Sequence, residues 1–268
     1  MKQLKVGVVL LLAAMLTVML AGCFTINLNT DSVVGNGDMD TREIALENAV
    51  TGVSNSSSID VIIDPTLEGK AILDAESNLI DLVEVTQSSN GIVKVDMKPG
   101  VSIMIRKSMT LRIPAMAGGL IEIDGSGDVT LASGTLTGDD FNVRIAGSGD
   151  IRLALDAKTV TLSIDGSGDI ELNAAVDSLT ARSNGSGEIS VSGETGQLDV
   201  NLSGSGDFDG FGFQAQNGKV NINGSGSANV YVTGELTGSI GGSGDITYDG
   251  NPASVSISEN GSGDADPR

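Results

Sequence analysis

The chain has no histidine and no tryptophan, one cysteine, two tyrosines and five prolines in 268 residues. Without histidine, a Ser-His-Asp triad, a Cys-His pair and a histidine-ligated metal are excluded. One cysteine cannot form a disulfide within the chain. Basic residues number 15 against 35 acids, a net charge of −20. Phosphate backbones are held by clustered Lys and Arg, so nucleic acid is not an expected partner. Aromatics make up only 3%, so the core must be built from Ile, Val and Leu, which favours strands. A helical period of useful length is missing too. The best candidate, TLEGKAILD (66–74), is interrupted by Gly69.

Glycine, by contrast, is abundant at 37 residues, as expected of many turns that need positive φ. The N-terminus reads MKQLKVGVVLLLAAMLTVMLAGC. Lys2 and Lys5 precede an apolar run from Val6 to Leu20, and small residues lead to Cys23, the layout of a secretory signal. Its LAGC resembles the bacterial lipobox, in which the cysteine is diacylated and becomes the mature N-terminus. The alternative is a transmembrane anchor, for which the run is of borderline length. The expected layout is a lipoprotein signal peptide over 1–22, a lipidated Cys23 with a flexible tether to residue 41, and a folded body beyond. Residue 24 is Phe and not Asp. Such a lipoprotein would sit extracytoplasmically, in the outer membrane of a Gram-negative cell or on the outer face of a Gram-positive plasma membrane.

Alternation of apolar and polar residues predicts strands at SIDVIID (58–64), IDLVEVT (80–86), GIVKVDM (91–97) and MTLRIPA (109–115). From residue 119 a repeat takes over. Gly-Ser-Gly begins at Gly125, Gly147, Gly166, Gly185, Gly204, Gly224, Gly242 and Gly261, at spacings of 22, 19, 19, 19, 20, 18 and 19. Apolar residues recur two and four positions before most of the motifs, as with Ile145 and Val143, and four and six after the first glycine, as with Ile170 and Leu172. Each unit therefore reads strand, turn, strand, variable corner. A unit of about 19 residues cannot bury that face alone, whereas stacked copies form a continuous core. The fold class predicted is all-β: a parallel β-helix or β-solenoid over 119–268 with about 19-residue coils, each turning at GSG[D/E]. A smaller β-rich part precedes it over 42–118. The eighth copy, NGSGDADPR, is expected to carry no further strand and, with Pro267, to close the open edge.

The acid after the motif is Asp128, Asp150, Asp169, Glu188, Asp207, Asp245 and Asp264, with Ser227 the exception. In register, these form a ladder of like charges about 5 Å apart. Two such charges repel by roughly 0.8 kcal/mol in water, tolerable on a solvated edge. The favoured reading is structural turns in which the serine hydroxyl and the acid bond to turn N–H groups. The alternative is a weak calcium site on Asp128, Asp150, Asp169, Glu188, Asp207 and Asp245. It is disfavoured because each turn offers few of the six to eight oxygens Ca²⁺ takes. The opposite corners, ALDAKT (154–159) and NAAVDS (173–178), have no matching glycines. A phosphate loop is disfavoured, since no P-loop lysine follows and the motif leads into a strand. Cofactors are expected to be none, with calcium as the alternative. No catalytic residues stand out. The basic residues of the repeat, Arg144, Arg152, Lys158, Arg182 and Lys219, are scattered. An exposed aromatic row would suit glycans, and Phe208, Phe211, Phe213, Tyr231 and Tyr248 are its candidates, with packing inside an irregular coil as the plainer reading.

The lipobox, the leading strands, LIEIDGSGDVTL and the repeated GSGDI together resemble the auto-transporter adhesin, head GIN domain family. IDVIIDPTLEGKAILDAESNLIDLVEVTQSSNGIVKVDM is similar to the first half of that domain, and TLRIPAMAGGLIEIDGSGDVTL to its junction with the repeats. The resemblance spans roughly residues 42–268. It implies a β-solenoid-like surface or periplasmic lipoprotein and brings no catalytic residues. The function expected is a lipid-anchored binding, adhesion or envelope scaffold, held to the membrane through Cys23. Its partner would be a surface glycan or an envelope protein. A calcium-dependent or carbohydrate-active enzyme and an envelope signalling partner are the alternatives.

Overall fold

The computed structural model describes residues 32–268. The lipobox and Cys23 lie outside the described residues. Among those described there is no α-helix, only a 3-10 turn at Ile80–Leu82, and no helix long and apolar enough to cross a membrane.

One coil explains the rest. The strand Ile151–Ile164 buries residues 151, 153, 155 and 157, then 160, 162 and 164. The phase slips by one at Lys158 and Thr159, where the strand bends and turns onto a second face. The next strand, Ile170–Ser183, lies parallel above it. Ile151 pairs with Ile170 and Ala157 with Val176. Past the bend, Thr159 pairs with Ser178 and Ile164 with Ser183. Side chains alternate across a strand, so each inward position becomes a column. Ile151, Ile170, Ile189, Phe208, Ala228 and Ile246 make one such column, all at 0–1% exposure. Each buried Ile or Leu contributes about 1.5–3 kcal/mol, and the core is one cluster from Val50 to Ile246.

The coil spacing is uneven for identifiable reasons. The 22-residue step carries a loop between Leu131 and Leu136. The 20-residue step is taken up by register shifts at Ser190/Ser192 and Gly210/Gln214, which carry Phe213 into the core. Phe208 is buried as well, and a Cβ on Gly210 would lie 2.6 Å from its ring, so the ring fills the space where Gly210 interrupts the column of Leu153, Leu172, Val191 and Val230. The aromatic row is therefore not formed by these residues. Phe211 is half-buried, with the Arg268 guanidinium 4.4 Å from its ring centroid.

The N-terminal part continues the same stack. Gly52–Asn55 pairs with Gly119–Ile123, and Asp60–Asp64 with Val129–Leu131, all parallel. One rung lower, Ile92–Met97 and Thr110–Pro114 repeat the arrangement. Antiparallel strands then take the outer edges of this lowest coil. Val83–Gln87 lies against Ile92–Met97, Lys70–Glu76 against Thr110–Pro114, and Met39–Ala45 against Lys70–Glu76. Ser32–Val34 pairs in parallel with Ser102–Met104. Residues 32–34 and 39–41, placed in the tether by composition, are thus strands of the body. Residues 80–82, expected as strand, form the 3-10 turn. The segment 66–74 is a turn followed by strand, with Gly69 at φ +63°.

The last coil also differs from expectation. Ala265–Pro267 is a strand, paired with Ile246–Tyr248. This last described coil is poorly apolar. Glu259 stands in the column of Ile222 and Ile240, and its carboxylate accepts the N–H of Ala265 at 3.1 Å. An inward acid and an edge proline both discourage a further strand from pairing.

Candidate functional site

The repeated glycines are needed for closeness and not for handedness of the backbone. None of the Gly-Ser-Gly glycines has positive φ, contrary to the expectation from composition. A Cβ on Gly147 would lie 1.9 Å from the carbonyl oxygen of Gly125, and one on Gly166 2.0 Å from that of Gly147. Successive corners nest main chain on main chain. The N–H of Ser148 donates to Gly125 O at 2.9 Å and that of Ser167 to Gly147 O at 3.0 Å. The serine side chains are exposed along this edge. They do not supply the expected bonds to turn N–H groups.

The acids do. The Asp128 carboxylate accepts the N–H of Asp150 at 2.9 Å, Asp150 that of Asp169 at 3.0 Å, and Asp169 that of Glu188 at 2.8 Å. Asp207 accepts from Ser227 at 2.7 Å and Asp245 from Asp264 at 3.0 Å. Where serine replaces the acid, the Ser227 hydroxyl accepts the N–H of Asp245 at 3.2 Å. The lowest rung is Asp60, which accepts from Asp128 at 3.1 Å. Asp60 lies outside the repeat, in SSSID, and its only sequence signal is an acid just ahead of a strand, as in GSGDI. Glu188 alone of these acids between Asp60 and Asp245 does not hold the next rung.

The charges are partly neutralised. Arg152 reaches Asp150 at 2.9 Å, Asp128 at 3.6 Å and Glu171 at 3.5 Å. Higher up no such cation among the described residues serves Glu188. Loss of hydration, then the charges of Asp209, Asp169 and Asp207, push its carboxyl above the usual range. The ladder is a row of single carboxylates, of which Asp60, Asp128, Asp150, Asp169, Asp207 and Asp245 each spend an oxygen on the main chain of the next coil. Among the described residues no three acids converge as a metal-binding group.

The opposite corner holds a feature that the missing glycine motif concealed. At the bend, Asp156, Ala175, Glu194 and Gln214 stack in register. With Asp177, Thr195, Gln216 and Thr233 they line an open polar trough of about 570 Å³ across five coils. No aromatic residue lines it. Lys158 stands at the bend, bonded to Asp139 at 2.7 Å, which holds its ammonium above the usual lysine range by hydrogen bond and charge. The trough can offer acids, amides and hydroxyls at the inter-coil spacing of about 4.8 Å.

A stacked, glycine-nested coil with a solvated acid edge and a polar trough defines a parallel β-solenoid. Residues 49–190 and 161–252 match the family described as "Putative auto-transporter adhesin, head GIN domain", and the chain belongs to that family. Solved structures share the fold. A putative adhesin from Parabacteroides distasonis is 20% identical with a TM-score of 0.78, over 89% of this chain and 100% of its own. A putative adhesin from Parabacteroides merdae is 20% identical with a TM-score of 0.77, over 88% and 99%. A putative lipid binding protein from Parabacteroides distasonis is 26% identical with a TM-score of 0.77, again over 88% and 99%. No curated protein matches the chain.

Proposed function

We propose that this chain is a lipid-anchored, extracytoplasmic β-solenoid that binds a surface glycan or an envelope protein and performs no catalysis. The observation that carries the reading is the polar trough of Asp156, Glu194, Gln214 and Gln216 on a stack whose interior is filled by apolar columns. Such a stack presents hydrogen-bonding groups at fixed spacing with little ordering cost on binding. The descriptions of its structural neighbours as adhesins and as a lipid binding protein fit a binding role. The LAGC sequence ending at Cys23 supports the anchor.

The test is binding of the purified chain to arrayed surface glycans and to solubilised envelope proteins, beside a Glu194→Lys, Gln214→Lys variant. The expected result is loss of binding in the variant at unchanged melting temperature, with the ligand recovered intact. A cleaved glycan would establish the carbohydrate-active alternative. Binding indifferent to the variant would remove the trough from the reading. Mass spectrometry of the mature N-terminus tests the anchor, since a chain beginning elsewhere than at an acylated Cys23 refutes it.

A further inference from the structure

Exposed large hydrophobic side chains are not spread over the body. Val34 is 44% exposed, Met39 42%, Met104 60% and Ile105 38%, and the only other one among the described residues is Val255. The four meet at one place. Val34 and Met104 are register partners, and Ile105 follows Met104. The N–H of Gly35 donates to Met104 O at 2.8 Å. Met39 pairs with Glu76, whose carboxylate accepts the N–H of Gly37 at 2.9 Å and of Arg106 at 3.2 Å. The alternate residues Val33 and Ile103 pack inward on the core, so the outward set is not spare core.

Two further observations say what covers this patch. Its rim is basic. Arg106 and Lys107 are exposed, and neither forms an ion pair among the described residues, in a chain of net charge −20. The patch also begins where the described body begins, at Ser32. Eight residues lie between Cys23 and Ser32, and the nine Cα steps bound the span at about 30 Å. An apolar tip with a basic rim is the composition that settles at an anionic lipid interface.

We infer that Val34, Met39, Met104 and Ile105, with Arg106 and Lys107, form a second contact with the bilayer that holds the Cys23 lipid, seating the N-terminal end of the solenoid on the membrane. The inference rests on the lipid-anchor reading. A diacylated Cys23 supplies the attachment itself; the patch fixes which end of the body faces the bilayer.

The absence of native tryptophan makes the test direct. Met104→Trp is introduced into the mature chain, which is then reconstituted into phosphatidylcholine–phosphatidylglycerol vesicles with brominated acyl chains. The expected result is a blue-shifted emission quenched by the bromine. Arg106→Glu with Lys107→Glu should abolish the quenching while the chain still floats with the vesicles. A Val255→Trp reporter at the other end of the stack should stay unquenched. A floating chain whose Met104→Trp reporter is as unquenched as Val255→Trp overturns the inference. So does a blue shift produced by an envelope protein in place of vesicles, which would make the patch a protein interface. A chain that lacks acyl mass and does not float refutes the anchor alone, and quenching on adding vesicles to that chain would still support the patch.

Discussion

The Asp150 carboxylate accepts the main-chain N–H of Asp169, 3.0 Å away and one coil on. The acid of GSGD is thus a brace between coils, and what matters is its acceptor. Asp150→Asn keeps an oxygen at the same place and removes one charge from the row. It should change stability by less than about 0.5 kcal/mol, whereas Asp150→Ala should cost roughly 1–2 kcal/mol by stranding that N–H. Urea denaturation of the two variants separates a hydrogen-bonding role from a charge role.

Glu188 is the rung at which the row is least comfortable. Its carboxyl is raised by lost hydration and by Asp209, Asp169 and Asp207, so the folded state takes up the proton before the unfolded chain does. Its contribution to stability therefore falls as pH rises from the usual glutamate range through the raised value. Glu188→Gln should raise the melting temperature at pH 7, and the difference should vanish once acidification has protonated the native residue. Asp165 behaves oppositely. The Asn184 amide first, and then Arg144, hold it below the usual range, so its stabilisation is present at neutral pH and is lost as pH falls through the lowered value.

Gly166 and Ser167 are neighbours with unlike tolerances. A methyl on Gly166 would sit 2.0 Å from a main-chain oxygen of the coil below, which a side-chain rotation cannot relieve. Gly166→Ala should cost about 3 kcal/mol, the upper end for overpacking. Ser167→Ala, on the exposed edge, should change stability by less than about 0.5 kcal/mol. Paired thermal melts decide between them.

Ser183 occupies an inward column that elsewhere holds Ile145, Ile164, Leu202 and Ile222. It is fully buried, and its hydroxyl has no hydrogen-bond partner. A buried unpaired hydroxyl carries a desolvation penalty. Ser183→Ala should therefore stabilise the fold, by about 1 kcal/mol in urea denaturation. A loss of similar size would mean that the hydroxyl is satisfied in solution.

The coil, its inward columns and the edge carrying the acids were legible because period-2 alternation and a 19-residue repeat both leave marks in the residue order. The reason for the glycines was not. A requirement for space and one for positive φ select the same residue, and only the carbonyl of Gly147 beneath Gly166 tells them apart. Asp60 was hidden because its corner is built differently. Asn55 and Ser57 side chains bond to each other and to Ile59 there, in place of nested glycines. The trough went unseen because Asp156, Glu194 and Gln214 differ in type and share only a place. Phe213 reaches the core through a register shift, which a fixed alternation cannot anticipate.

The 20-residue step that admits Phe213 absorbs its surplus residue in a register shift, and Leu202 already pairs with Ile222 before the coil ends. Each coil keeps its own reading frame. A single inserted residue that is neither absorbed in a bulge nor looped out, as between Leu131 and Leu136, would turn the inward residues of the rest of its strand to solvent. Gain or loss of a whole coil keeps the frame. Relatives of this chain should therefore vary in length by coil-sized quanta, their rods growing or shrinking from the middle while the antiparallel start and the acid-and-proline finish are inherited intact.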